Sequence, residues 1–176
     1  FCLSQRRREA LEDGEYHVCI DSSLAPGHLS YGELFLPGES DDEILISTHV
    51  CHPSLCDDNL SAIAVSVFLA RELAGQRRRH GVRFLYAPGT IGSLTWLARN
   101  RERVGRVKHG LTLTCLGDQH PFTYKRTLAG DHEIDRSVAL ALRDAAVPHE
   151  LIDFFPYGYD ERQFNSPGFR LPVGSL

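Results

Sequence analysis

The chain has 176 residues and a formal charge of −4 with histidine neutral, enough length for one domain with a sizeable core. Hydrophobic residues make up 42% and charged residues 24%, an ordinary globular balance. That balance gives no electrostatic footprint for nucleic acid or an anionic membrane, and no run of about 18 apolar residues is present to span a bilayer.

The opening residues do not read as a signal peptide. The chain begins at Phe1 and contains no Met, which reads as an internal fragment. Five cysteines, Cys2, Cys19, Cys51, Cys56 and Cys115, are odd in number and not spaced as a disulfide scaffold. Three of them fall in β-like apolar runs, where a free thiol behaves as a small hydrophobe. A reducing, cytoplasmic compartment is the expectation. The basic cluster Gln76 to His80 reads as a solvated loop.

In chain order, Gln5 to Glu12 is charged and helix-compatible. Tyr16 to Ile20 alternates polar and apolar and predicts a strand; Ala25 to His28 turns, and Tyr31 to Leu36 predicts a second strand. Residues 15–36 could thus form a small β insertion in a single domain covering 1–176. Glu43 to Ser47 is a short apolar run typical of a strand buried on both faces. Asn59 to Ala74 has helical periodicity, with Ile63, Val67, Leu69 and Ala70 on one side and Gly75 as a stop. Val82 to Tyr86 predicts a buried strand, Ile91 to Arg101 a helix, and Leu111 to Cys115 a strand ending at Gly117-Asp118. Phe122 to Thr127 predicts an edge hairpin, Asp131 to Ala145 a helix, and Leu151 to Phe155 a late strand. Pro172 to Leu176 reads as a strand and turn cut short. Alternating strands and helices predict a three-layer αβα domain around a mostly parallel or mixed sheet. Sites in such folds form at the carboxyl ends of strands.

The densest chemical signal is Ser47 to Ala62, which places His49, Cys51, His52, Cys56, Asp57 and Asp58 between a buried strand and a helix start. Histidines and carboxylates are the usual ligands of hydrolytic zinc, and thiolates those of structural zinc. On the residues alone two readings stay open: a metal site, or a helix capped by Asp57, Asp58 or Asn59 beside surface histidines.

This segment resembles the core of the co-catalytic zinc aminopeptidases. There a buried strand ends in a His ligand, and a D-(D/N)-x-S-(G/A) motif opens the next helix. Here the strand and His are Ile44 to His49, and the motif is Asp58-Asn59-Leu60-Ser61-Ala62. Later stretches resemble the same family: Phe84 to Ser93 the strand and GS-containing helix start, Leu111 to Asp118 a strand with a terminal acidic ligand, and Tyr157 to Gly168 the Asp-x-x-x-Phe-x-x-x-Gly segment. The resemblance runs from Tyr31 to Leu176 and is similar to a bacterial aminopeptidase-like branch of unassigned function.

The resemblance implies one or two Zn²⁺ ions held by His49, a bridging Asp58, Asp118 and Asp160, and a peptide or aminoacyl substrate cleaved next to a free amino group; His52, three residues after His49, is a further candidate ligand by its spacing alone. It also implies a last His ligand beyond Leu176, hence a C-terminally truncated domain. Three departures stand out. Cys51 occupies the place of the family's ligand-orienting Asp, and a thiol cannot do a carboxylate's work there. Ala87-Pro88-Gly89-Thr90 replaces the paired glutamates that supply a general base and a ligand. Pro172 comes two residues later than the family pattern. Glu161 is the candidate replacement base, and Tyr159, like Tyr157, a candidate for polarising an oxyanion. Three other readings stay open. They are a structural zinc on the Cys51-His52-Cys56 loop, a Cys51 nucleophile beside His52, and a catalytically degenerate fold used as a binding or scaffold module.

Overall fold

The computed structural model describes residues 3–52 and 56–176. Cys2, Pro53, Ser54 and Leu55 lie outside the described residues. A short helix α1 (Gln5–Glu9) is followed by strands β1 (Gly32–Leu36) and β2 (Glu43–His49), helix α2 (Ala62–Leu73), β3 (Gly81–Ala87), α3 (Ile91–Arg99), β4 (Val107–Leu113), β5 (Phe122–Lys125), α4 (Glu133–Asp144), β6 (His149–Ile152), α5 (Glu161–Phe164) and β7 (Val173–Ser175).

The strands form one seven-stranded sheet in the order β1-β3-β2-β4-β7-β5-β6. The β2–β3, β2–β4, β4–β7 and β5–β6 pairs are parallel. The β1–β3 and β5–β7 pairs are antiparallel. The expected mixed α/β sheet is therefore present.

Side chains alternate across each strand, so each strand serves two cores. Leu45, Leu85 and Val173 face Trp96 and Leu97 of α3 and Phe164 of α5. Ile46, Phe84 and Leu113 face Ala62 and Ala70 of α2. Tyr124 packs with Val138 and Leu142 of α4. Helices thus cover both faces and make three layers. Burying each large apolar side chain contributes roughly 1.5–3 kcal/mol before conformational entropy is subtracted.

Arg83 is an exception inside a buried strand. Its guanidinium grips the buried Glu43 carboxylate with Nε–Oε2 2.6 Å and Nη2–Oε1 2.8 Å, and it also bonds Glu33. This forked pair satisfies both buried charges and ties β1, β3 and β2 together.

Several elements differ from the sequence expectation. Tyr16 to Ile20 forms no strand; it is extended and exposed, and residues 15–36 make no separate β insertion because β1 joins the main sheet. Period-2 patterning alone does not make a strand where no neighbour supplies the ladder hydrogen bonds. Phe122 to Thr127 is no edge hairpin: β5 lies between β7 and β6. The buried stripe of α2 is Ala62, Ser66 and Ala70, while Val67 and Leu69 face outward. Small residues let the helix close on the sheet, where Ser66 Oγ donates to Tyr86 Oη at 3.2 Å. Cys19, Cys51, Cys56 and Cys115 are free and exposed rather than core hydrophobes. Among the described residues no helix is long and apolar enough to cross a membrane.

Candidate functional site

From β2 the chain passes through α2 to β3 on one side, then through α3 to β4 on the other. The strand order reverses at β2, which opens a crevice at its carboxyl end. His49 is the last residue of β2 and is fully buried.

The residues that hold His49 come from the turn before α2. Asp57–Ser61 is a kinked turn in which Asp58 and Asn59 have non-helical backbone angles, and the Asp58–Asn59 peptide is cis. Asp58 Oδ1 lies 2.6 Å from His49 Nε2. Asp58 is no helix cap: its oxygens go to His49 and to Tyr159, whose hydroxyl donates to Oδ2 at 3.5 Å. Asp57 instead accepts from the Gly117 N–H at 2.6 Å, and Ser61 Oγ accepts from the Leu116 N–H at 3.0 Å. The turn is thereby sewn to the loop after β4.

Asn59, buried, is the pivot. Its Oδ1 accepts from the Cys115 N–H at 3.0 Å, and its Nδ2 donates to the Leu113 carbonyl at 3.0 Å. Those two bonds fix which end of the amide is the donor. The same Nδ2 faces His49 Nδ1 at 3.2 Å. A donor there makes Nδ1 the acceptor, so the His49 proton sits on Nε2 and points at Asp58.

Tyr159 closes the site from the other side. Its ring stacks on His49 with centroids 4.0 Å apart and planes 5° from parallel. Burial, and then the nearby Asp58 carboxylate, pushes its phenol up, so the hydroxyl keeps its proton at neutral pH. Asp160, the next residue, is buried. Asp160 Oδ1 accepts from the Thr90 N–H at 2.7 Å and from Ser93 Oγ at 2.9 Å, pinning the start of α3. Its Oδ2 is buried with no hydrogen-bond partner among the described residues. Burial raises the Asp160 carboxyl, against the opposing pull of Thr90 and Ser93.

Two of the three departures from the family pattern meet here. Cys51 Sγ accepts from the Gly89 N–H at 3.3 Å. Burial pushes the Cys51 thiol up, which disfavours the nucleophilic thiolate.

The structure thus gathers His49, Asp58 and Tyr159 in direct contact and ties the next residue, Asp160, to the start of α3. The remaining candidates stand apart. Asp118 accepts from the His120 N–H at 2.9 Å and lines a cleft of about 370 Å³ with Cys115, Phe122, Lys125 and Phe155. His52 is exposed. Glu161 is buried, with Lys125 Nζ 2.5 Å from its Oε1.

Among the described residues no three His, Cys, Asp or Glu side chains stand where one ion could bind them all. His49 and Asp58 offer two donors that already bond each other, and with the Asn59 amide N–H on Nδ1, His49 turns the N–H of Nε2, not a lone pair, toward Asp58. The described residues therefore do not fit a complete zinc site. Sequence reasoning missed Asn59 as the residue that orients His49. Its signal was the motif position after Asp58, there read only as a possible cap. Lys125 carried no sequence signal.

A mixed sheet with its site at a strand-order reversal, His at one strand end and Asp-Asn at the next helix start, defines an aminopeptidase-like α/β fold. The chain belongs to the family described as domain of unknown function DUF4910, whose profile matches residues 13–176. A Clostridium acetobutylicum protein, provisionally named a polysaccharide biosynthesis protein with aminopeptidase-like domain, is 49% identical over 176 residues. That match covers 100% of this chain and 41% of the relative, so the chain spans about two-fifths of the relative's length. A crystal structure from C. acetobutylicum, described provisionally as a peptidase, superposes with TM-score 0.87 at 48% identity, covering 98% of this chain and 41% of that one. The fold is shared with an Acidobacteriales bacterium glutaminyl cyclase at TM-score 0.68 and 15% identity, covering 83% of this chain and 57% of that one. It is also shared with an aminopeptidase from Aneurinibacillus sp. strain AM-1 at TM-score 0.66 and 19% identity, covering 82% and 38%.

Proposed function

We propose that this chain carries part of the active site of an aminopeptidase-like hydrolase that cleaves an amide next to a free amino group in a peptide or aminoacyl substrate. The observation that carries the reading is the His49–Asp58–Tyr159 group at the reversal of strand order. The half-exposed Asp58 carboxylate is placed to accept a substrate ammonium. The Tyr159 hydroxyl, held protonated, is placed to donate to a carbonyl oxygen as charge develops on it. Zinc belongs to the same reading as a proposal, with His49 and Asp58 as the two donors this chain would supply. Support comes from the names of the C. acetobutylicum proteins, described as a peptidase and as aminopeptidase-like.

A second reading, a binding module built on a degenerate aminopeptidase fold, is favoured by one observation. Where a general base would stand, Gly89 carries no side chain and the Cys51 thiol fills the space. One experiment separates the two. Zinc content and turnover of aminoacyl amides are measured on the protein and on its His49→Ala variant. Stoichiometric zinc with turnover, both lost in His49→Ala, supports the hydrolase. A zinc-free, inactive protein that still binds aminoacyl amides through Asp58 sinks it and establishes the binding module.

A further inference from the structure

Lys125 and Glu161 form a buried ion pair that the site described above does not use. The Lys125 and Glu161 side chains are only 9% and 1% exposed. Removing two charges from water costs several kcal/mol per ion; neither Glu161 oxygen has a hydrogen-bond partner of good geometry among the described residues, so the adjacent Lys125 charge is what offsets its burial. Lys125 Nζ also donates to the Tyr157 carbonyl at 2.7 Å and sits 4.4 Å over the Phe155 ring. Its bonds therefore run to the segment leading into Tyr159, from a strand on the far side of that segment.

Gly158 shows how tightly this segment is held. Its φ is +148°, and a Cβ there would collide with both Glu161 Oε1 and Lys125 Nζ. Only glycine lets the backbone pass so close to the ion pair in this conformation. On the other side, Asp160 is tied to Thr90 and Ser93 at the start of α3. Adjacent carboxylates thus grip opposite walls, Asp160 on α3 and Glu161 on β5. Tyr159 stands between these anchors, flat on His49.

We propose that Lys125 and Glu161 are a positioning pair that, through the close passage of Gly158, sets the Tyr159 ring parallel to His49. Glu161 in this arrangement acts through the loop rather than on substrate. The inference rests on Tyr159 belonging to the proposed site, yet its test needs neither metal nor turnover.

A ring stacked at 4.0 Å shifts the His49 ring protons upfield by its ring current. NMR of the intact chain, with the His49 signal assigned by its absence in His49→Gln, gives that shift, and Tyr159→Leu defines its zero. Lys125→Met paired with Glu161→Met removes the ion pair without stranding a buried charge. The expected result is loss of most of the His49 shift while the indole signal of Trp96, the one tryptophan, stays native. Should the paired variant fail to fold, Gly158→Ala pushes on the same pair from the backbone and is expected to give the same loss with a native Trp96 signal. A His49 shift that survives in whichever of these variants is folded overturns the proposal. Absence of zinc or of turnover tests the hydrolase reading alone and leaves this readout unaffected.

Discussion

Cys51 and Gly89 are one packing unit: the thiol accepts the Gly89 N–H at 3.3 Å, and a Cβ at position 89 would stand 2.7 Å from that sulfur. The missing Asp and the missing Glu of the family pattern are thus coupled. With sulfur in this place, residue 89 is held to glycine unless the thiol swings away. Gly89→Ala is expected to cost about 1–3 kcal/mol by overpacking. Cys51→Ala alone removes one weak hydrogen bond at an exposed side chain and is expected to cost under about 1 kcal/mol. The double variant recovers most of the Gly89→Ala loss. A denaturant double-mutant cycle checks this, and additive costs would show that the two positions are independent.

The tautomer of His49 is the second expectation. Asn59 presents an N–H to Nδ1, so the imidazole proton resides on Nε2. Asn59→Asp replaces that donor with a carboxylate and should draw the proton to Nδ1, freeing the Nε2 lone pair. The imidazole ¹⁵N chemical shifts of His49 distinguish the two forms. A native protein already protonated on Nδ1 would contradict the assignment and make His49 a better metal donor than the hydrogen bonds indicate.

Asn59 also has a structural cost attached. Asn59→Ala leaves the Leu113 carbonyl without this partner at a buried position and the Cys115 N–H without it at a half-buried one. Each orphaned group costs roughly 1–3 kcal/mol. A loss on the order of 2–5 kcal/mol in chemical unfolding is expected, well above the roughly 1 kcal/mol of a lost helix cap. A loss near the latter value would reduce Asn59 to an ordinary cap.

The parts legible in the sequence were those whose cause is local. Glu43 to Ser47 and Val82 to Tyr86 are apolar without interruption because their strands are covered on both faces, and each appears as a strand. His49 and Asp58 were legible because they terminate a strand and open a helix within ten residues. Tyr16 to Ile20 misled because alternation records a possible face, not a partner strand. The Lys125–Glu161 pair was illegible because it joins positions 36 residues apart that only the sheet order brings together. Asn59 was read as a cap because its bond to Leu113 spans 54 residues. Asp118 looked like a strand-end ligand from its place after β4; one of its oxygens accepts from the His120 N–H of the adjacent turn.

A cluster far from His49 in the sequence contributes to the pH response. His109 on β4 is mostly buried, its Nδ1 has no hydrogen-bond partner among the described residues, and its Nε2 is 3.8 Å from Glu133. Burial pulls its imidazole below its ordinary value of 6.5, opposed by Glu133 and Asp42 and reinforced by His80 and His132. The groups facing it therefore come from α4 and its cap, from the loop before β2, and from the turn before β3. A depressed folded value means that the folded state holds this proton less tightly than the unfolded state does. The corresponding stability is present above pH 6.5 and is lost as pH falls through the folded value. Through His109 the chain should lose stability to denaturant between about pH 8 and about pH 5, while the raised Asp160 carboxyl, whose burial cost falls on protonation, acts in the opposite sense. His109→Gln, which cannot titrate, should flatten part of that drop. Unfolding midpoints of both proteins at the two pH values check it. If His109→Gln shows the full native drop, the acid sensitivity originates in other groups and His109 has no part in it.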